Sequence, residues 1–113
     1  PEKREEVISA LGFQSEYSRI KVLVHSIAKG NLKPMVSADR PTLKNDDFHL
    51  TLENMAFSLY DWVQAIFKKN LFAKDARIIS FTSMGNKRAW ENYAAVSTAK
   101  VALEAITRNI ALE

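Results

Sequence analysis

Two continuous apolar runs and three stretches of helical period organise this chain of 113 residues. Ile20 to Ala28 is the first run, β-branched at Ile20, Val22, Val24 and Ile27. A run that is apolar at successive positions, rather than at alternate ones, predicts a central parallel strand covered on both faces. Ala76 to Gly85 is the second run, and it places the other strand at Arg77 to Ser83. Between them, Thr51 to Phe72 carries Leu52, Met55, Ala56, Leu59, Tyr60, Val63, Ile66 and Phe67 at helical spacing. Its apolar side chains wrap much of the circumference, so the helix is expected between the sheet and a further layer. Asp46 or Asp47 can cap it. Tyr93 to Glu113 is the last helix, with Val96, Ala99, Val101, Ala102, Leu103, Ala105, Ile106, Ile110 and Leu112. Pro1 to Leu11 reads as a charged amphipathic helix with Val7, Ile8 and Leu11 on one face, ended by Gly12.

The connections carry turn chemistry. Lys29 to Lys44 holds Gly30, Asn31, Pro34, Ser37, Asp39 and Pro41, and it is long enough to be functional rather than a mere connector. Gly85 to Asn92 is a polar loop containing Trp90. The order helix, strand, helix, strand, helix implies a right-handed parallel crossover and an α/β layered fold. Residues 1–113 fit one domain.

Composition narrows the function classes only a little. The hydrophobic fraction of 47% and charged fraction of 26% are those of an ordinary soluble globular protein. A net charge of +3, with scattered Lys and Arg, gives no nucleic-acid footprint. With no cysteine there is no disulfide and no thiolate metal site, which is compatible with a cytoplasmic protein. His25 and His49 stand apart, so no metal-ligand spacing is present. No apolar run reaches the ~20 residues needed to span a bilayer. The chain opens on Pro rather than Met, which suggests a processed, truncated or incomplete start.

The chemistry concentrates in Tyr93-Ala-Ala-Val-Ser-Thr-Ala-Lys100. Seven residues is nearly two helical turns, so the two side chains share one face about 10 Å apart along the axis. An ammonium beside a phenol favours the phenolate. The pair follows the strand and the Thr82-Ser83-Met84-Gly85 turn. Hydroxyls at the carboxyl end of a strand stand where α/β sheets place ligand contacts, though Thr82 and Ser83 also suit the capping of a turn.

In these residues the chain resembles the short-chain dehydrogenase/reductase superfamily, and the Tyr-x6-Lys spacing is similar to that of its enoyl-acyl-carrier-protein reductase branch. Glu91 to Tyr93 and Ala99 to Arg108 carry the resemblance most closely, and Val22 to Ala28 agrees with it. The resemblance implies a Rossmann-like, doubly wound parallel sheet, of which this chain covers a central part. It implies reduction of a trans-2-enoyl thioester, on acyl carrier protein or coenzyme A, by NADH or NADPH in fatty acid synthesis. Tyr93, Lys100 and Ser83 would then be catalytic, Lys100 by biasing the Tyr93 pKa downward. Lys100 would hold the nicotinamide ribose, and Ser26, Ile27, Ala28 and Thr82 would lie beside the cofactor. Ser83 departs from the many enoyl reductases that carry a second Tyr there. Met55 takes the place of the proton-relay Asn of carbonyl-reducing relatives, and Asn54, about 100° around the helix, faces elsewhere. His25 is expected to be a packed strand residue. Met35, Phe81, Met84 and Trp90 are candidates for an acyl pocket, and Lys87 and Arg88 for contacts with an acidic carrier.

The helices at 51–72 and 93–113 resemble those that build homodimers and homotetramers in the superfamily. No Gly-x-Gly-x-x-Gly turn is present among Gly12, Gly30 and Gly85, so the chain is expected to be the middle of a longer enzyme. A short-chain carbonyl reductase or alcohol dehydrogenase, and a non-catalytic module on the same scaffold, remain as alternatives.

Overall fold

The computed structural model describes residues 2–14 and 19–113, with the side chains of Phe13 and Gln14 left aside. Helix α1 (Glu2–Gln14) leads to strand β1 (Ile20–His25). A long loop then reaches helix α2 (Asn45–Leu52), which runs through a π-helical turn (Glu53–Phe57) into helix α3 (Ser58–Lys68). Strand β2 (Phe72–Ser80), a 3-10 turn (Met84–Asn86) and helix α4 (Ala94–Leu112) complete the order. β1 and β2 pair in parallel, with Val22 opposite Arg77 and His25 opposite Ser80. The parallel pairing and the helical crossover are those of a Rossmann-like α/β fold, of which the chain forms a partial segment. Among the described residues, no helix is long and apolar enough to cross a membrane.

Side-chain alternation decides what the sheet buries. Leu23 and Ile78 pack with the helices, and His25 meets Ser58 of α3. Val22, Val24, Ile79 and Phe81 point the other way and stand about half exposed. Within this partial segment α3 and α4 cover one face of the sheet. On that face Ala56, Leu59 and Leu103 form one fully buried cluster, and Met55, Val96 and Ala99 form another beside it. Ala56, Ala95 and Ala99 expose nothing, so α4 lies close against the π turn.

Element boundaries differ from the sequence reading for identifiable reasons. The middle helix begins at Asn45, and Asp47 stands at its third position rather than before it, accepting the Lys44 backbone N–H at 2.8 Å. The helix stops at Lys68 because Asn70 adopts φ 53°, where Asn is tolerated better than most residues. The Asn70 N–H then bonds to the Phe67 carbonyl and the Leu71 N–H to the Ile66 carbonyl, a Schellman ending. β2 can therefore start at Phe72, five residues earlier than the apolar run suggests, and it ends at Ser80. Helix α1 continues through Gly12, which costs only about 1 kcal/mol in a helix interior. Ile8 is its buried residue, packed on Ile66 and Leu71, while Val7 is half exposed. Arg4 ties α1 to α3 through Asp61 at 3.0 Å and lies over the Trp62 ring.

Candidate active site

The loop after β2 and the start of α4 present the chemistry. Asn92 turns the backbone with φ 60°, and Tyr93 follows as the residue before the first turn of α4. Its ring is wedged in place. Gly85 lies so close that a Cβ there would stand 2.2 Å from Tyr93 Cε1 and 2.4 Å from Cδ1. Trp90 meets the same ring edge-on, with centroids 5.3 Å apart. Gly85 is itself anchored at both ends: its N–H donates to Ser83 Oγ at 3.2 Å, and its carbonyl accepts from Ser97 Oγ at 2.5 Å. The phenol of Tyr93 reaches Ser83 Oγ at 3.0 Å. Glycine is required at this position because the phenol can occupy that place only if residue 85 has no side chain.

Lys100 lies two turns along the same helix, buried. Its ammonium donates to the Phe81 carbonyl at the end of β2, at 2.7 Å. Burial pushes its pKa below the ordinary lysine value of 10.5. An ammonium carries three N–H donors, so two remain beyond the Phe81 bond. Tyr93, Ser83, Lys100 and Thr82 line one cavity of about 380 Å³ together with Ser26, Ile27 and Ala28. The sequence-predicted residues are thus brought together in one crevice at the carboxyl ends of both strands. Thr82 lines the crevice with its hydroxyl engaged, donating to Glu104 at 2.5 Å. Asn86 donates to the same carboxylate.

Met55 is buried and lines this cavity, whereas Asn54 turns back to donate to the Leu50 carbonyl at 2.7 Å. Phe81 lines the cavity as well. Met35, Trp90 and Arg88 line a separate, outer one, and Met84 is exposed.

Three features of the site escaped the sequence reading. Gly30 is pressed against α2, where a Cβ would meet Thr51 Cγ2 at 2.6 Å and Met55 Sδ at 3.3 Å. Asp47 anchors the long loop by accepting from Asn31 Nδ2 at 2.6 Å and from Lys33 Nζ at 3.2 Å. The Lys44 N–H, followed by these side chains, holds its carboxyl below the usual carboxylate range. The third feature centres on His25. The Ser58 hydroxyl donates to the Asn54 carbonyl inside the π turn at 2.6 Å, and Ser58 Oγ lies 2.7 Å from His25 Nε2. With its proton engaged, Ser58 must accept, so His25 carries hydrogen on Nε2. Nδ1 is buried and finds no partner among the described residues. Burial, followed by the Lys100 charge, pushes the His25 pKa below 6.5.

The family model described as enoyl-(acyl carrier protein) reductase matches residues 2–113. This chain belongs to that family of oxidoreductases, within the short-chain dehydrogenase/reductase superfamily. Solved structures agree on the fold. An enoyl-acyl-carrier-protein reductase from Plasmodium berghei, solved with triclosan, superposes with a TM-score of 0.80 at 26% identity, covering 96% of this chain and 36% of that one. The enoyl-[acyl-carrier-protein] reductase (NADH) of Aquifex aeolicus gives a TM-score of 0.80 at 19% identity, covering 98% and 42%. A FabI–NADH complex from Alistipes finegoldii gives 0.77 at 24% identity, covering 96% and 38%. The chain spans about two fifths of the length of these relatives.

Proposed function

We propose that this chain carries the catalytic crevice of an enoyl-acyl-carrier-protein reductase that uses NADH or NADPH, with residues 1–113 belonging to one Rossmann-like domain. The observation that carries the reading is the Tyr93 phenol. It is held by Gly85 and Ser83 in the same cavity as the buried Lys100 ammonium. The donor set fits a nicotinamide nucleotide. Lys100 has two N–H donors beyond its bond to Phe81, suited to the vicinal hydroxyls of a ribose. The Ser26–Ala28 segment lines the same space. The reduced nicotinamide, when bound, supplies the hydride that adds to the β-carbon of the enoyl thioester. Tyr93 donates a hydrogen bond to the thioester oxygen, where negative charge collects as the double bond is reduced. Ser83, which accepts from the Gly85 N–H, keeps its own proton free to share with the Tyr93 oxygen. Lys100 stabilises developing negative charge on the phenol.

The Ser83–Tyr93 bond also favours a second reading, a short-chain carbonyl reductase, since a Ser assists the Tyr in that part of the superfamily. Met55 in the crevice, in place of a relay Asn, favours the enoyl reading. Phe57, Tyr60, Phe67 and Val101 leave apolar surface exposed along the helices, which supports a symmetric homodimer or homotetramer. A monomer at micromolar concentration refutes that part. For the function itself, the test is Tyr93→Phe in the protein carrying this chain. Turnover of crotonyl thioester falls by about 100-fold or more, and near-unchanged turnover refutes the role.

A further inference from the structure

Helix α4 meets the turn after β2 along one stripe of its surface. Ser97, Lys100 and Glu104 follow one another at intervals of three and four residues, so they share a helical face. Ser97 Oγ donates to the Gly85 carbonyl at 2.5 Å, and Lys100 Nζ donates to the Phe81 carbonyl at 2.7 Å. Glu104 stands outside the crevice lining, but it meets the turn twice. Its Oε1 accepts the Thr82 hydroxyl at 2.5 Å and also the side-chain amide of Asn86. Thr82 directly precedes Ser83, and Asn86 directly follows Gly85. One carboxylate oxygen therefore holds both ends of Ser83-Met84-Gly85, the segment that wedges the Tyr93 ring and bonds its phenol.

The bonds inside the turn do a different job. The Gly85 N–H donates to Ser83 Oγ, and the Asn86 N–H donates to the Ser83 carbonyl. These fix the shape of the turn but not its place against α4. Its place is set by the bonds from the helix, and α4 is a firm reference: Ala99 and Leu103 expose nothing. A bond to an ionised acceptor is also about twice as strong as one between neutral groups.

We propose that Glu104 is a positioning residue for the reaction: it fixes the turn from Thr82 to Asn86 on α4 and so holds Ser83 Oγ against the Tyr93 phenol. The proposal rests on Tyr93 donating to the substrate oxygen, a role that the enoyl and carbonyl readings share.

Glu104→Ala removes both bonds, whereas Glu104→Gln keeps an oxygen that can accept them. Hydrogen exchange in the protein carrying this chain reads the turn without turnover. Exchange of the Gly85 and Asn86 N–H groups quickens about tenfold in Glu104→Ala and stays within about threefold of the unaltered protein in Glu104→Gln. Kinetics use whichever of crotonyl and acetoacetyl thioester the unaltered protein reduces. In Glu104→Ala, kcat falls about tenfold with KM for the thioester unchanged, and Glu104→Gln restores it to within about threefold. Added to Tyr93→Phe, Glu104→Ala costs less than about twofold more, because its effect passes through the phenol. A general loosening of the fold would cost the same factor in both backgrounds. Unchanged exchange or unchanged kcat in Glu104→Ala overturns the proposal. So does an equal loss of kcat in the Gln and Ala variants, or full additivity with Tyr93→Phe. Reduction of neither thioester by the unaltered protein refutes the reductase reading instead, and the exchange then decides whether Glu104 holds the turn.

Discussion

Replacing Gly85 with Ala tests whether the backbone of one turn sets the position of the Tyr93 phenol, the group proposed above to be catalytic. The new Cβ would stand 2.2 Å from Tyr93 Cε1, where ordinary contact begins at 3.4 Å. Either the ring or the turn must therefore give way by about 1 Å, and a displacement of that size at a reacting group costs about 100-fold in rate. The turn resists, because Gly85 is tied to Ser83 on one side and Ser97 on the other. The ring is bounded by Trp90 and packs on the Met55 cluster, so it can move only by weakening its bond to Ser83. Steady-state kinetics with crotonyl thioester should show kcat about 100-fold lower, with overpacking costing about 1–3 kcal/mol of stability in a denaturant melt. Because Gly85 acts through Tyr93, adding Gly85→Ala to Tyr93→Phe should cost little further rate. A folded Gly85→Ala variant with unchanged kcat would refute the reasoning, as would full additivity in the double variant.

Other expectations follow from burial and titration. Leu59→Ala removes a fully buried side chain from the cluster it forms with Ala56 and Leu103, and denaturant unfolding should read a loss of about 2–5 kcal/mol. Gly30→Ala drives a methyl group into Thr51 and Met55, costing about 1–3 kcal/mol in the same assay. His25 has a lowered pKa, so it stays neutral in the folded state while the unfolded chain protonates near 6.5. Its contribution to stability is fully present above that pH and is lost as pH falls from 6.5 towards the folded value. In denaturant melts taken down through this window, His25→Gln should flatten the slope, and an unaltered slope counts against the assignment.

The crevice was legible because its signals are local or periodic. Tyr93 and Lys100 stand on one helical face, Met55 and Asn54 divide as adjacent helical positions must, and Ser83 follows the strand within three residues. Features that depend on distant neighbours were not legible. Nothing in Glu53-Asn-Met-Ala-Phe57 marks a π turn: it has neither Gly nor Pro, and the Ser58–His25 contact beside it links residues far apart in sequence. Gly85 and Gly30 read as ordinary turn residues until the Tyr93 ring and Thr51 are placed against them.

The most direct measurement pairs crotonyl and acetoacetyl thioesters with NADH and with NADPH, for the protein carrying this chain and for its Tyr93→Phe variant. Consumption of reduced nicotinamide is followed against each substrate. The account predicts that the enoyl thioester is reduced faster than the ketone with at least one nucleotide, and that this activity collapses without the phenol. Preferential reduction of acetoacetyl thioester, or enoyl reduction that persists in Tyr93→Phe, would contradict it.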